Sequence, residues 1–177
     1  MPSQSLLSNL APLLFYPDDM LKDHIARLHQ NMTIHHPESL PGLVAFSNAM
    51  LRESQNKRED IYTHTFDLAP SCAPYLSVHL FGEESFKRPQ LMAGLKARYI
   101  EKGFNTGGEL PDHVGIVLQF APQFETDEWQ DLCHHCLKPA LIKMRDLLAN
   151  SDTPYRHLFD ITIAFIEAEE LLEIVYA

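Results

Sequence analysis

Cys133-His134-His135-Cys136 is the segment whose residue types most directly suggest chemistry. Thiolates and imidazoles bind zinc, and two cysteines at this spacing can also cycle between thiol and disulfide. However, a structural zinc site takes four ligands, and the remaining cysteine, Cys72, stands alone. A redox pair usually begins a helix, where the dipole lowers the thiol pKa, whereas these cysteines fall within an apolar helical stripe. We therefore predict that both pack as small apolar side chains, with a small metal-binding or redox protein as the alternative.

Glu109, Asp112 and His113 are a second set that could do chemistry, because carboxylates and an imidazole together can transfer protons. No Ser or Cys nucleophile is tied to them by a known motif. The same residues are also explained as a loop end, a helix cap and a first-turn side chain. An acid–base enzyme around His113 therefore stays an alternative without a substrate, and no catalytic residue is predicted.

Apolar residues recur every three or four positions along most of the chain, which is the spacing of amphipathic helices. Turn signals such as Pro41-Gly42 separate the segments, and no run alternates in the manner of a strand. The pattern predicts an all-α fold, a single-domain helical bundle over residues 1–177. The predicted helices are residues 5–15, 18–32, 43–51, 59–67, 89–103, 114–120, 126–148 and 155–176, while residues 75–81 fit either a short helix or an extended piece.

Three of these segments carry specific expectations. Pro139 should bend the helix over residues 126–148. Residues 155–165 are apolar almost all round, which predicts a buried central helix. Asp112 precedes the apolar segment that begins at Val114, and a carboxylate at that position is expected to cap the helix.

The charge balance excludes some partners and favours others. Lys and Arg number 14 and Asp and Glu number 24, which gives a formal net charge of −10. Such a surface repels nucleic-acid phosphates and attracts basic peptides. The apolar run at residues 6–15 lacks the preceding basic residues of a signal peptide, and no stretch reaches the ~20 apolar residues of a membrane span. With an odd number of cysteines, these features predict a cytoplasmic protein without nucleic-acid binding or membrane insertion.

Three segments in the middle of the chain resemble a known family. They are Tyr62-Thr-His-Thr-Phe66-Asp67-Leu68, Arg88-Pro-Gln-Leu-Met92 and Glu109-Leu-Pro-Asp-His113. In this order they resemble the NarJ/TorD family of redox-enzyme maturation chaperones. The NarJ-like branch, whose members help assemble molybdenum enzymes such as respiratory nitrate reductase, is the most similar. The resemblance implies a helical bundle of the TorD/NarJ type and no enzymatic activity.

The function that the resemblance implies is that of a client-specific chaperone without a cofactor or metal, acting as a monomer or weak dimer. It would bind the N-terminal, twin-arginine-like peptide of the catalytic subunit of nitrate reductase or a related molybdoenzyme. It would assist molybdenum cofactor insertion before export or membrane attachment. An apolar trough would supply contact area, and acidic residues would pair with Arg or Lys of the peptide. The family motif positions nominate Tyr62, Phe66, Asp67, Glu109, Pro111, Asp112 and His113, and the apolar contacts add Leu68 and Val114.

Overall fold

Helices make up almost all of the regular structure, and the predicted all-α fold is confirmed. The structure, a computed structural model, describes the backbone of residues 2–68 and 72–176 and the side chains of residues 4–68 and 72–171. Within these ranges no strand occurs, and an isolated antiparallel bridge joins Tyr75 to His113. The assignment of residues 1–177 to one domain stays a prediction.

Short connections separate the helices. Among the described residues, no helix is both long enough and apolar enough to cross a membrane. Short 3-10 turns cover Ala11–Leu14, Pro37–Ser39 and Ala121–Gln123. The α-helices are α1 Pro2–Leu10, α2 Leu21–His35, α3 Leu40–Leu51, α4 Gln55–Phe66, α5 Leu76–Phe81, α6 Lys87–Glu101, α7 Val114–Phe120, α8 Thr126–Leu132, α9 Lys138–Leu147 and α10 Tyr155–Tyr176.

The first half of α10 lies in the middle of the core and packs against α1, α3 and α9. The prediction of a buried helix over residues 155–165 is confirmed, because most side chains of these turns are buried. Farther along, the carboxylate of Glu169 accepts a hydrogen bond from Trp129 Nε1 at 3.0 Å, which ties α10 to α8. The buried side chains of the first half are Tyr155, Leu158, Phe159, Ile161, Thr162, Ile163, Phe165 and Ile166.

A cluster of aromatic rings attaches α4 to α10. Tyr62 and Phe66 lie one turn apart on α4, and the Phe66 ring centroid is 4.9 Å from that of Tyr155. The Tyr155 ring also contacts Tyr62 at 5.8 Å and Phe46 of α3 at 5.6 Å. Edge-to-face contacts of this kind add to the free energy gained from burying the rings. Tyr62 and Phe66 are therefore core residues, with 5% and 3% of their surface exposed.

Residues 126–148 do not form one continuous α-helix, whereas the bend expected at Pro139 stays a prediction. The segment predicted as a helix over residues 126–148 divides into α8, a π-helical turn at Cys133–Leu137, and α9. Lys138 N donates to Cys133 O, five residues earlier. Proline lacks an amide hydrogen, and its ring collides with the carbonyl four residues earlier. The π-helical turn ends two residues before Pro139, where its wider hydrogen-bonding pattern accommodates the proline ring.

Two other boundaries differ from the sequence-based expectation. α4 begins at Gln55 and not near residue 59, because Ser54 caps it by accepting a hydrogen bond from Lys57 N. Residues 75–81, for which the sequence left two alternatives, form the short helix α5 after Tyr75. Both helices carry residues that reach the candidate site.

Truncation before Tyr155 should prevent cooperative folding. The deletion removes Leu158, Phe159 and Phe165 from the core, and each buried side chain contributes on the order of 1.5–3 kcal/mol against a total stability of about 5–15 kcal/mol. Urea titration of residues 1–154, followed by far-ultraviolet circular dichroism, measures the outcome. A cooperative helical transition in the truncated chain would contradict this assignment of the core.

Candidate functional site

Asp112 is buried and holds α5 in place, and it does not cap its own helix as the sequence suggested. Its Oδ2 accepts hydrogen bonds from Ser77 N at 3.1 Å and from the Ser77 hydroxyl. The Asp112 carbonyl also accepts from Leu76 N at 3.0 Å. These donors belong to the first turn of α5, whose amides have no partner within that helix. Asp112 therefore caps α5 across the loop.

Arg88 extends this network to α6. Its Nε donates to Ser77 Oγ at 3.0 Å, and its Nη1 donates to the Glu83 carbonyl at 2.9 Å. The Ser77 hydroxyl thus accepts from Arg88 while it donates to Asp112. Two of the family-like segments, the one at Arg88 and the one at Asp112, are joined through a residue that the motif analysis did not include.

His113 caps α7 in place of Asp112. Its Nδ1 accepts a hydrogen bond from Gly115 N at 3.1 Å, and its ring stacks on Phe15 with centroids 4.9 Å apart. Burial lowers the pKa of His113 to about 4, although the charges of Glu109 and Asp112 act in the opposite direction. The imidazole is therefore neutral near pH 7, and the Gly115 amide occupies its Nδ1 lone pair. This arrangement gives His113 a structural task as the cap of α7.

Asp67 and Glu109 are the accessible carboxylates of the motif segments, and we refer to them together as the acidic surface. Glu109 Oε1 accepts from Leu110 N at 2.9 Å and from the Tyr75 hydroxyl at 3.3 Å. Partial burial, and then the charge of Glu109, raises the pKa of Asp67. Burial, followed by the Glu109 carboxylate, raises the pKa of Tyr75 to about 12. The negative charge of Glu109 contributes to both raised pKa values, and a nearby cation would offset that charge.

The structure divides the predicted peptide-binding residues into two groups, and their part in peptide binding stays a prediction. One group is accessible: Asp67 and Leu68 are exposed, and Glu109 and Pro111 are half-buried. The other group lies in the interior because its members pack in the aromatic cluster, bond to α5 or belong to the apolar helix α7. This interior group consists of Tyr62, Phe66, Asp112, His113 and Val114.

A surface groove lies next to Glu109, between the end of α6 and the loop that follows it. Its volume is about 440 Å³, and Glu109 and Pro111 line it together with Ile100, Phe104 and Leu110. The sequence analysis missed the last three residues. A signal was present for Ile100, because it follows Tyr99 and so lies off the apolar stripe of α6 that contains Leu95 and Tyr99.

The cysteine segment shows no sign of metal or redox chemistry in the part of the chain that the structure describes. No three His, Cys, Asp or Glu side chains there are arranged to hold a metal ion. Cys133 is buried and Cys136 is half-buried. Burial raises the pKa of Cys136, which is opposite to the shift that activates a redox thiol.

Replacing Gly115 by Ala should destabilise the protein. A methyl group at residue 115 would lie 2.6 Å from the Phe15 ring, so the ring must leave its stack on His113. Overpacking of this kind costs typically about 1–3 kcal/mol in the free energy of unfolding. Gly94→Ala is the matched control, since a methyl group there meets open space in α6 and should stabilise the helix by up to about 1 kcal/mol. Equal urea midpoints for the two variants would contradict the close approach of Phe15.

Acidification should weaken the fold partly through His113. Its pKa is about 4 in the folded protein and near the ordinary value of about 6.5 when unfolded, so between these values only the unfolded chain binds the proton. Stability contributed by neutral His113 is therefore lost as the pH falls through this window. His113→Asn keeps an oxygen for the Gly115 amide but does not titrate.

We expect the free energy of unfolding to fall less for His113→Asn than for the natural chain between about pH 7 and about pH 5, as measured by urea titration. Burial also lowers the pKa of His79, and both proteins share that contribution. Identical pH dependence in the two proteins would exclude the role assigned to His113.

Three comparisons relate this chain to known proteins. The sequence profile described as "Nitrate reductase delta subunit" matches residues 30–160. A Bacillus subtilis (strain 168) protein, NarJ, described as a nitrate reductase molybdenum cofactor assembly chaperone, is 27% identical over 172 residues, with 93% of this chain and 89% of that protein covered. A crystal structure of a redox enzyme maturation protein from Archaeoglobus fulgidus shares the fold, with a TM-score of 0.58, 19% identity and 94% of each chain covered.

The profile match extends well beyond the three short motifs and covers most of the chain, including the Arg88, Ser77 and Asp112 network. The resemblance to NarJ/TorD maturation chaperones is confirmed. This chain belongs to the nitrate reductase delta subunit family.

Proposed function

We propose that this protein is a non-catalytic, cytoplasmic chaperone for a molybdoenzyme of the nitrate reductase type. It binds the N-terminal segment of the catalytic subunit and assists molybdenum cofactor insertion before export or membrane attachment. The observation that carries the proposal is the family match over residues 30–160, together with a relative along nearly the whole chain that is described as a cofactor assembly chaperone.

The accessible residues of the motif segments support binding of a basic peptide. Asp67 and Glu109 present accessible carboxylates, and Leu68 next to Asp67 exposes 67% of its surface. A twin-arginine-like segment brings guanidinium groups, which are the chemical complement of paired carboxylates. The net charge of −10 also attracts such a segment before contact is made.

The interior residues of the motif segments support the same site by holding its loop in position. Asp112 fixes the start of α5, and His113 fixes the start of α7, so the loop that carries Glu109 and Pro111 is held at both sides. A preformed loop loses little conformational entropy when a peptide binds to it. In this proposal Asp112 and His113 are positioning residues and do not contact the client.

Asp67→Asn should reduce the preference for a basic client peptide. Exposed ion pairs contribute about 0.2–1 kcal/mol, so we expect affinity for the arginine-containing peptide to fall by about 1.4- to fivefold. Affinity for its Arg→Gln version should stay unchanged. Asp131→Asn, which removes the same charge from an exposed position on α8, is the control and should retain the preference.

The experiment begins with purification of the tagged protein from native cells and identification of the recovered partner. We expect the catalytic subunit of a molybdoenzyme, whose synthetic N-terminal peptide then serves for calorimetry. Recovery without any molybdoenzyme would overturn the chaperone proposal. Equal affinity of the natural chain for the arginine and glutamine peptides would instead limit the acidic surface to a role in solubility.

Raised salt gives a second measurement on the same complex. Screening weakens the attraction between exposed charges, so association with the arginine peptide should become slower while the complex still forms.

A further inference from the structure

We propose that α6 is a lid that opens as a unit about Gly82 and Gly103, and that ion pairs with the start of α8 hold its C-terminal end closed. Opening exposes part of the Phe120 side chain, on which Tyr99 of α6 packs in the closed form. This inference goes beyond the proposed function, because the lid is a property of the fold and operates whether or not a client is bound.

Few side chains anchor α6 in the core. Ten of its fifteen residues are exposed, and its fully buried side chains are those of Leu95 and Tyr99. Helix α2 has the same length and buries four. Burial of an apolar face supplies most of the stability of a helix in a protein, so a helix with few buried side chains opens at a lower free energy than the core. We therefore expect α6 to open while α10 stays folded.

A glycine in the left-handed region of backbone conformation stands on each side of α6. Gly82 has a φ of +81° and precedes the helix, and Gly103 has a φ of +66° and follows it. A methyl group at either residue would meet no described atom within 4 Å, so the surroundings leave both positions room to move. Hinges are a few residues that absorb large changes in φ and ψ, which glycine does at the lowest cost. These two glycines are therefore the hinge positions.

Two ion pairs join the end of α6 to the start of α8. The Arg98 guanidinium pairs with the Glu128 carboxylate through Nη2 and Oε1, and Lys102 Nζ lies 3.1 Å from Glu125 Oε1. All four side chains are partly exposed, and all four line a cleft of about 100 Å³ between the two helices. Ion pairs of this kind are weak and are screened by salt, which suits a contact that must break and form again.

Tyr99 links the lid to the loop that carries Glu109. Its ring lies 4.7 Å from that of Phe120, and its hydroxyl donates to the Pro111 carbonyl at 2.8 Å. Opening of α6 breaks both contacts. The Phe120 ring then gains exposed surface, and the loop loses its attachment to α6. The ion pairs at α8 thus control the position of Glu109 through Tyr99.

The test is hydrogen exchange followed by mass spectrometry on the full chain. Peptides that cover α6 report opening of the lid, and peptides from the first half of α10 report unfolding of the whole protein. The variants are Glu128→Gln and the double variant Glu125→Gln/Glu128→Gln. Asp127→Asn is the matched control, because Asp127 also lies in the first turn of α8, is exposed and belongs to neither ion pair.

We expect the amides of α6 to exchange at least tenfold faster than those of α10 in the natural chain, after correction for intrinsic rates. Loss of one exposed ion pair corresponds to a change of about 1.4- to fivefold in the opening equilibrium. Glu128→Gln should therefore speed exchange in α6 by this factor, and the double variant should speed it further. Exchange in α10 should not change, and Asp127→Asn should match the natural chain.

Salt gives an independent measurement on the same peptides. Sodium chloride at about 0.5 M screens the ion pairs, so it should speed exchange of α6 in the natural chain. The effect should be much smaller in the double variant, which lacks both pairs.

Three results would overturn the proposal. Exchange of α6 as slow as that of α10 would mean that α6 opens only when the whole protein unfolds. Equal acceleration of α6 and α10 in the double variant would assign the ion pairs to global stability. Acceleration of α6 by Asp127→Asn to the same extent as by Glu128→Gln would show that these pairs do not close the lid.

Discussion

The buried carboxylate of Asp112 is the group on which the arrangement of the site depends. A buried carboxylate is costly unless hydrogen bonds replace the lost water. Ser77 supplies them through its amide and its hydroxyl, while Asp112 Oδ1 has no hydrogen-bond partner among the described residues. The start of α5 must therefore stay against residue 112. Because Arg88 holds the same hydroxyl, the start of α6 is fixed at that point as well.

This constraint explains why one short motif contains both interior and surface residues. In residues 109–113 the chain passes from an accessible carboxylate to a buried one within a single turn. Asp112 and His113, at the buried end, attach the loop to α5 and α7. Glu109, at the accessible end, is held in position by these attachments. Phe15 adds a third attachment by stacking on His113, and only glycine at residue 115 leaves room for its ring.

The sequence predicts the fold well because apolar periodicity records burial directly. α10 and α7 show this most clearly, since their apolar residues lie on nearly all sides. The features that sequence reasoning missed depend on contacts between distant residues or on local backbone detail. Ser77 meets Asp112 from 35 positions away, and Pro139 is accommodated by a π turn that periodicity does not reveal. The motifs nominated Asp67, Glu109 and Asp112 together, and only the fold shows that Asp112 is buried. The groove likewise requires the fold, which places Leu110 and Ile100 in one lining.

In the proposed complex, the acidic surface and the apolar groove make different contributions to peptide recognition. Apolar area provides affinity that salt does not screen, and carboxylates provide long-range attraction and a preference for basic residues. Either surface alone would be poorly selective, because many peptides contain apolar pairs and many contain arginine. Glu109 belongs to both surfaces and is fixed by Leu110 N and Tyr75, so the two features must occur close together in one peptide. Selectivity then arises from the spacing of two ordinary contacts.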